Sequence, residues 1–216
     1  HATNHSKGCG GVMRVAPVGM LFASLHASHG RDKETALREA FEVGCASAAL
    51  THGHVTGQYA SGAFAALLFL VLTGTSLAQS VPPVLDLLTA CPDNEETRDI
   101  INRAVQLACM GPPCHARLSQ LGEGWIGEEA LAIGLYAALS ATDFESGVVL
   151  AVNHDGDSDS TGLIAGHLLG AMHGFSAIPE RWRVSLELRT VLEEMAERLA
   201  LCGHCASKGS TGMQAP

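Results

Sequence analysis

The sequence predicts an all-α fold, and three observations support this prediction. Hydrophobic residues make up 47% of the chain but aromatic residues only 5%, so the core must consist mainly of Ala, Leu and Val, which suits closely packed helices. Apolar residues recur at helical spacing in several segments, and no segment alternates with a period of two for long enough to indicate a strand. At 216 residues the chain is long enough to bury the core of one compact helical bundle.

The first strongly marked helix begins at Asp32. The segment DKETALREAFEVGCASAAL has a capping residue, charges on one side and apolar residues near helical spacing on the other. A break over residues 51–57, which contains His and Gly, separates this helix from an apolar helix predicted over residues 59–72.

Prolines and aspartate mark the next two predicted helices. Pro82-Pro83 is expected to open a short helix that ends before Pro92, because proline is tolerated in the first turn of a helix. Asp93 is expected to cap the helix NEETRDIINRAVQLACM, which the Gly-Pro-Pro sequence at residues 111–113 ends.

The rest of the chain repeats this organisation. Helices are predicted over residues 128–141, from an Asp cap over residues 143–152, over residues 160–173, and over residues 184–201, the last of them long and amphipathic. We therefore expect one domain spanning residues 1–201, followed by a flexible tail over residues 202–216.

Glycine recurs every four residues on one face of the predicted 160–173 helix, at Gly162, Gly166, Gly170 and Gly174. Each glycine inside a helix costs up to about 1 kcal/mol of helix propensity. We expect the stripe to let a neighbouring backbone approach closely in the core. It would also place this helix centrally enough for its N-terminus to hold the preceding loop.

Charge and composition exclude some partners. The formal net charge is −9 and Lys and Arg form no basic stripe, so nucleic acid and anionic membranes are not expected as main partners. The longest apolar run, residues 63–72, is shorter than the roughly 20 residues of a membrane-spanning helix. The seven cysteines show no disulfide-framework spacing, which favours a reducing compartment such as the cytoplasm.

The segment NHDGDSDSTG contains the most compact group of acids in the chain. Asp155, Asp157 and Asp159 occupy alternate positions, and Ser160 and Thr161 follow them at the predicted start of a helix. Carboxylates this close repel one another, so solvent, the helix N-terminus or a cation must offset the repulsion. An ordinary helix cap needs only one Asp and one Ser.

Two kinds of cation site can be compared with the sequence of this loop. A calcium loop of the EF-hand type requires Gly at its sixth position and Glu at its twelfth, where this chain has Ser160 and Gly166. The EF-hand interpretation therefore fails. Two carboxylates and a hydroxyl at a helix start suit Mg²⁺ or Mn²⁺, which would keep water ligands for chemistry.

The same residues resemble a known family. GDSDSTGLIAGHLLGAMHG, preceded by His154 and Asp155, is similar to the C-terminal metal motif of the ADP-ribosylglycohydrolases, also called ADP-ribosylhydrolases and typified by the dinitrogenase-reductase-activating glycohydrolase. Three further segments agree in order: SKGCGGVMRVAPVG with the family's glycine-rich loop, LTHGHVTG with its Thr-His turn and GWIGEEALA with its late Gly-Trp segment. The resemblance covers nearly the whole chain.

The resemblance implies an all-α enzyme that holds two Mg²⁺ ions, with Mn²⁺ as an alternative. Such an enzyme hydrolyses the glycosidic bond between ADP-ribose and a modified protein side chain. The implied metal ligands are Asp157, Asp159 and Ser160. The implied substrate contacts are the loop residues Ser6, Gly8, Cys9 and Gly10 at the diphosphate and ribose, His52 at the ribose or phosphate, and Trp125 and Ile126 beside the adenosine. We interpret Cys9 as a small filling residue and not as a nucleophile.

The family's domain normally begins with an N-terminal third that carries an early acid and a Thr-Asp-Asp motif, and this sequence contains neither. We expect the chain to correspond to the C-terminal two-thirds of such a protein. Its catalytic acid would then lie outside the chain, on an N-terminal part or fragment that completes the site. The expected partner is an ADP-ribosylated protein or ADP-ribose, and the linkage is left open. The alternative is a non-catalytic module that binds ADP-ribose or confers immunity to a toxin.

Overall fold

The computed structural model describes residues 2–205 and confirms the all-α fold over that range, which contains no β-strand. The α-helices of the described residues are α1 (Ala16–His29), α2 (Lys33–Ala49), α3 (Val55–Leu72), α4 (Leu77–Thr89), α5 (Glu95–Cys109), α6 (His115–Leu118), α7 (Gly127–Ser140), α8 (Phe144–Val152), α9 (Ser158–His173), α10 (Glu180–Val184) and α11 (Arg189–Cys205). Short 3₁₀ helices lie at Val12–Arg14, Ser119–Leu121 and Phe175–Ala177.

Helices α3 and α7 form the centre of the bundle. Helix α3 packs against α1, α2, α4 and α7, while α7 also packs against α5 and α9. Their aromatic side chains Phe64, Phe69 and Tyr136 are fully buried, among many Ala and Leu residues. The outer helices α8 and α11 pack against α9 and α1, respectively. The core therefore has the composition that the low aromatic content predicts.

Helix α3 is long and apolar enough to span a membrane, but 78% of that stretch is buried inside the protein. The central helix of a globular bundle meets the same criteria of length and hydropathy. This agrees with the sequence interpretation of the segment as a buried helix.

Helices α2 and α3 cross at two glycines. A Cβ atom added to Gly44 would lie 2.9 Å from the Gly62 Cα and 3.0 Å from the Ser61 carbonyl oxygen. Both distances are too short for ordinary contact between carbon or oxygen atoms. The absence of side chains at both positions is therefore what allows the two backbones to approach.

Two helix starts agree with the predicted caps. The Asp32 carboxylate accepts a hydrogen bond from the Thr35 amide at 2.8 Å, and the Asp143 carboxylate accepts one from the Ser146 amide at 2.8 Å. A side-chain cap satisfies an amide that the first turn leaves without a partner. These local bonds can be read directly from sequence, so both helix starts are predicted within one residue.

The prediction that Pro82-Pro83 opens a helix is wrong, because both prolines lie inside α4. The helix begins earlier, where the Ser76 hydroxyl accepts a hydrogen bond from an amide of the first turn at 3.3 Å. Interior proline opposes a helix by roughly 3 kcal/mol. Helix α4 nevertheless buries Val81, Val84 and Leu88 against the core, and each such burial contributes about 1.5–3 kcal/mol.

Two other predicted helix boundaries are wrong, and in each case a non-glycine residue has a left-handed backbone conformation. Asp93 has φ of 51° and does not cap α5, whose N-cap is Asn94 without a side-chain hydrogen bond. Leu188 has φ of 55° and interrupts the helix predicted over residues 184–201. The region therefore forms α10 and α11, and α11 extends to Cys205. The remainder of the predicted tail, residues 206–216, lies outside the described residues.

The glycine stripe of α9 does not bring a second backbone close to it along its length. A Cβ on Gly166 would have no atom within 4 Å, and one on Gly170 would meet only Phe144 at 3.9 Å. Gly174 ends the helix with φ of 79°. Only a Cβ on Gly162 would collide with another residue, and the atom that it meets belongs to the side chain of Val152. The expected tight packing is thus wrong for most of the stripe, which instead borders a cavity.

Candidate functional site

The predicted glycine-rich loop pairs with the predicted Gly-Trp segment. Gly8 and Ile126 form an isolated antiparallel bridge. The Cys9 amide donates a hydrogen bond to the Trp125 carbonyl at 3.1 Å, and the Lys7 carbonyl accepts one at 2.8 Å from the amide that follows Ile126. The structure therefore brings together two of the segments that the family resemblance assigns to substrate binding.

The Asn4 side chain connects the loop to the Thr-His turn. Its carbonyl oxygen accepts hydrogen bonds from the amides of Ser6 and Gly53, both at 3.0 Å, and its nitrogen donates to the Thr51 carbonyl at 3.0 Å. Asn4 is not among the site residues predicted from the sequence. The local signal was present, because Asn before a Ser/Gly segment often bonds to a backbone amide two residues later.

His52 lies beneath the glycines of the loop. A Cβ on Gly8 or on Gly10 would lie 3.6 Å from its Nε2 atom, and its Nδ1 atom is 2.7 Å from the Thr51 hydroxyl. Burial lowers the pKa of His52, and the positive charge of Arg14 lowers it further. The imidazole is therefore neutral at neutral pH. These are ordinary van der Waals distances, so the ring borders both positions without excluding a small side chain.

Most amides of the predicted phosphate loop already have partners. The Ser6 amide donates to Asn4 and the Gly8 amide to the Ser6 hydroxyl at 3.3 Å, while the Cys9 amide is held by Trp125. Within residues 2–205, Gly10 is the only one of the four predicted residues whose amide has no such bond, and it is exposed. The loop therefore offers an external ligand one free amide and not four.

Asp157 occupies the junction between the glycine-rich loop and α9. Its side chain is nearly buried, with 8% exposed, and its Oδ2 atom accepts hydrogen bonds from the Cys9 thiol at 2.9 Å and the Ser160 hydroxyl at 2.8 Å. Asp157 precedes the first residue of α9 but its side chain caps no amide. The acidic loop is therefore not explained as an ordinary helix cap.

The pKa of Asp157 reflects two opposed effects. Burial favours the protonated form, but interactions with the side chains of Cys9, Ser160 and Asp159 and with the charge of His154 outweigh burial and lower the pKa. The carboxylate is therefore ionised at neutral pH although it is nearly buried. Asp159 is exposed in the first turn of α9.

The predicted metal ligands Asp157, Asp159 and Ser160 lie together at the start of α9. Their oxygen atoms have the chemistry that Mg²⁺ and Mn²⁺ prefer. Throughout residues 2–205, however, His, Cys, Asp and Glu form no group of three or more that could hold a metal ion. The donor set fits a hard divalent cation, but it supplies only part of a coordination shell.

The Cys9 thiol is held in its protonated form. Burial raises its pKa, and the hydrogen bond to the Asp157 carboxylate and the charge of that carboxylate raise it further. Because the thiolate is the nucleophilic form of cysteine, this environment does not activate the sulfur. The geometry supports the interpretation of Cys9 as a non-nucleophilic residue, to which it adds the role of hydrogen-bond donor.

Two glutamates that the sequence analysis did not single out shape the loop before α7. The Glu129 carboxylate accepts hydrogen bonds from the amides of Glu123 and Gly124 at 3.0 and 3.1 Å. The Glu123 carbonyl accepts one from the Asp157 amide at 2.7 Å, and its side chain accepts one from the Trp125 indole at 3.1 Å. This network presents Trp125, which is 58% exposed, beside the glycine-rich loop.

Lys7 fixes the other side of the loop, and sequence analysis did not identify it either. Its ammonium group lies 2.8 Å from Glu96 and 2.5 Å from Glu128. The Glu128 side chain is only 5% exposed, and its second carboxylate oxygen is buried without a hydrogen-bond partner. The ion pair connects the loop to α5 and α7.

Comparison with known proteins relates this chain to a protein family. The family model described as ADP-ribosylglycohydrolase matches residues 1–208. A solved structure of an ADP-ribosylglycohydrolase-related protein complex is similar to this chain, with a TM-score of 0.57 and 30% sequence identity. The match covers 93% of this chain and 61% of the chain in that structure.

Individual relatives match over different lengths. An uncharacterized protein of Archaeoglobus fulgidus is 32% identical over 200 residues, which is 88% of this chain and 57% of that protein. The ADP-ribosyl-[dinitrogen reductase] glycohydrolase of Rhodospirillum rubrum is 38% identical over 63 residues, or 28% of this chain and 21% of its own length. The ADP-ribosylarginine hydrolase Tri1 of Serratia proteamaculans is 30% identical over 71 residues, which is 33% of this chain and 19% of that protein. The chain thus spans at most about three-fifths of the length of these proteins.

Proposed function

Because the chain belongs to the ADP-ribosylglycohydrolase family, we propose that it takes part in hydrolysing the glycosidic bond between ADP-ribose and a modified protein side chain. The observation that carries this proposal is the contact between the predicted substrate loop and the predicted metal residues, made by Cys9 and Asp157 at 2.9 Å. The Rhodospirillum and Serratia relatives, a glycohydrolase and an ADP-ribosylarginine hydrolase, support the same reaction class.

In this proposal Asp157, Asp159 and Ser160 hold Mg²⁺, or Mn²⁺, through carboxylate and hydroxyl oxygens. When bound, a pair of such ions supplies Lewis-acid stabilisation and an activated water. Asp157 is suited to this role because it is ionised and nearly buried, so its charge acts in a medium of low dielectric constant. The Cys9 and Ser160 hydrogen bonds hold its carboxylate in a fixed orientation.

The loop residues of the chain bind and orient the substrate in this proposal. The exposed Gly10 amide donates to a diphosphate oxygen, and the neutral His52 offers a ring nitrogen to a ribose hydroxyl or phosphate. The exposed Trp125 gives the adenosine side a flat apolar surface, and the half-buried Ile126 follows it in the chain. Ser6, Gly8 and Cys9 keep the loop in shape through the hydrogen bonds they already make.

We propose that the catalytic acid and the remaining metal ligands lie on polypeptide outside this chain, on an N-terminal part or fragment. The incomplete ligand set of residues 2–205 supports this view, as does the limited share of its relatives that the chain spans. Free thiols at Cys9, Cys45, Cys91, Cys109, Cys114 and Cys202 suit a reducing compartment, so we propose a cytoplasmic location.

The test uses the natural polypeptide that contains this chain and a protein carrying arginine-linked ADP-ribose. Release of ADP-ribose is measured by chromatography with and without Mg²⁺. Asp157→Ala and Asp159→Ala are expected to lose bound metal and activity together. Asp155→Ala, an exposed neighbour in the same loop, is the matched control and should keep both. Unchanged hydrolysis by either of the first two variants would remove the assignment.

A second candidate function is binding without catalysis, as in an ADP-ribose reader or a toxin-immunity protein. The observation that favours it is the incomplete metal-ligand set in the described residues. Calorimetric titration of the natural polypeptide with ADP-ribose separates the two. Saturable binding with no release of ADP-ribose from any modified protein would favour the binding module.

A further inference from the structure

The segment that leads into α7 is folded around one carboxylate. Glu129, in the first turn of α7, accepts hydrogen bonds through its Oε2 atom from the amides of Glu123 and Gly124, at 3.0 and 3.1 Å. Hydrogen bonds to an ionised acceptor are stronger than neutral ones, and the N-terminal end of a helix favours a negative charge. The Glu129 carboxylate therefore fixes the backbone of residues 122–124, the Gly-Glu-Gly loop.

Gly122 makes room for this carboxylate. Its φ of 103° lies in the region that favours glycine, and a Cβ at this position would collide with the carboxyl group of Glu129. The carboxyl group thus occupies the space that a side chain at residue 122 would need. The conformation of the Gly-Glu-Gly loop and the placement of Glu129 therefore depend on each other.

The Gly-Glu-Gly loop lies directly against the acidic loop that begins α9. The Asp157 amide donates a hydrogen bond to the Glu123 carbonyl at 2.7 Å. A Cβ on Gly156 would collide with that same carbonyl oxygen. A Cβ on Gly124 would lie 2.8 Å from the Thr161 Cγ2 atom and 3.6 Å from the Asp157 Cβ atom. The backbone of Asp157 is therefore held in place by the Gly-Glu-Gly loop.

The same loop also orients Trp125. The Glu123 carboxylate accepts a hydrogen bond from the Trp125 indole at 3.1 Å. Glu123 therefore bonds to Asp157 through its backbone carbonyl and to Trp125 through its side chain, while its own amide is held by Glu129. A displacement of this one residue would change the position of both neighbours.

We propose that Glu129 is a positioning residue for both halves of the site, acting through the Gly-Glu-Gly loop on Asp157 and on Trp125. Among the described residues its carboxylate bonds to the two loop amides and to neither of these side chains, so its action is indirect. The inference rests on the proposed function, which assigns the metal to Asp157 and the adenosine to Trp125. A change at Glu129 should therefore weaken metal binding and ligand binding together.

The test uses Glu129→Ala in the natural polypeptide that contains this chain. The Mg²⁺ concentration for half-maximal release of ADP-ribose should rise by about tenfold or more, since removing a group that orients a metal ligand has effects of this size. The calorimetric affinity for ADP-ribose at saturating Mg²⁺ should fall by about fivefold or more, because a base stacks less well on a displaced aromatic ring.

A second variant and a control accompany this measurement. Glu129→Gln keeps an acceptor oxygen of the same reach, and its neutral hydrogen bonds should shift both quantities by only about twofold to fivefold. It decides the outcome if Glu129→Ala does not fold. Asp32→Ala is the matched control, because it removes a carboxylate that caps the Thr35 amide in the first turn of α2 at 2.8 Å. It should lower stability and leave both quantities unchanged.

Hydrogen exchange separates this inference from the proposed function. In the Glu129 variants the amides of Glu123 and Gly124 lose or weaken their acceptor, and the Asp157 amide should also exchange faster because the Glu123 carbonyl moves. This measurement needs neither catalysis nor a bound ligand, so an inactive wild type would refute the hydrolase function while exchange at Asp157 still decides the role of Glu129. Unchanged exchange at Asp157, a shift in only one of the two quantities, or equal shifts in Asp32→Ala would each overturn the proposal.

Discussion

The Cys9 thiol donates a hydrogen bond to the Asp157 carboxylate over 2.9 Å, although 148 positions separate the two residues in sequence. This bond joins the glycine-rich loop to the start of α9, which are the two segments that the proposed function assigns to substrate and to metal. Burial and the neighbouring carboxylate keep the thiol protonated, and the thiol in turn helps to keep the carboxylate ionised. The two side chains therefore determine each other's protonation state.

Replacing Cys9 with Ala should destabilise the protein, because Asp157 would lose a donor while remaining nearly buried. Hydrogen bonds to charged groups contribute about 1.5–3 kcal/mol, and we expect a loss within that range in urea unfolding. Cys9→Ser keeps a donor at the position and should be less affected. Cys109→Ala, at an exposed thiol, is the control and should change stability little. Equal stability of Cys9→Ala and the wild type would show that the bond is not formed.

The isolated chain should bind Mg²⁺ weakly. The proposed ligands in the described residues are two carboxylates and one hydroxyl, these residues contain no group of three or more potential His, Cys, Asp or Glu ligands, and Mg²⁺ requires near-octahedral coordination. Isothermal titration of the 216-residue chain should therefore show no tight magnesium site. A submicromolar, stoichiometric site would contradict the inference that the remaining ligands lie outside the chain.

Alanine should have opposite effects at two helical glycines. Gly44→Ala places a methyl group 2.9 Å from the Gly62 Cα at the crossing of α2 and α3, and overpacking of this kind costs about 1–3 kcal/mol. Gly166→Ala meets no atom within 4 Å and gains up to about 1 kcal/mol of helix propensity. The midpoints of thermal unfolding should move in opposite directions. A stabilising Gly44→Ala would show that the two helices are not in close contact.

Breaking the ion pair between Lys7 and Glu128 should be costly. Lys7→Met leaves the 5%-exposed carboxylate of Glu128 without its cation, and breaking a buried pair costs about 3–5 kcal/mol, less here because Lys7 is partly exposed. The double variant Lys7→Met/Glu128→Gln should recover part of the loss, as denaturant unfolding would reveal. Arg31→Met, in the more exposed pair with Glu39, is the control and should cost about 0–1 kcal/mol.

Acid should destabilise the protein partly through His167. Burial lowers the pKa of His167 below its ordinary value of 6.5, so the unfolded chain takes up this proton at a higher pH than the folded protein does. The corresponding stability is intact above about pH 6.5 and is lost as the pH falls toward the folded-state pKa. His167→Phe should flatten the decline of unfolding free energy between neutral and mildly acidic pH.

The control for that measurement is His29→Gln, because His29 is exposed at the end of α1. Its pH profile should follow that of the wild type. If His167→Phe also follows the wild type, His167 is not buried as its surroundings indicate.

The fold could be predicted where a helix start depends on a local bond. Asp32 and Asp143 each cap an amide three residues later, and both starts were predicted. Helix α1 lacks such a signal, since its N-cap Val15 makes no side-chain bond, and sequence analysis did not define this helix. The left-handed conformation of Leu188 also has no local signature, so the break between α10 and α11 was missed.

The site could be predicted only through the family resemblance. No periodicity or spacing indicates that Cys9 contacts Asp157 or that Lys7 contacts Glu128, because each pair is formed by packing of distant segments. Asn4 illustrates the intermediate case: its bond to Ser6 is local and predictable, but its bond to Gly53 is not. The exact metal set stays a prediction.

The bridge between Gly8 and Ile126 also bears on the order of folding. Closing so long a stretch of chain is entropically costly until the helices between the two residues have docked. We therefore expect the end of the molecule that carries the proposed ligand site to be the last region to become native during refolding, and the first to lose protection from hydrogen exchange under mild denaturation. The geometry of this end of the molecule therefore depends on the prior packing of the helical bundle.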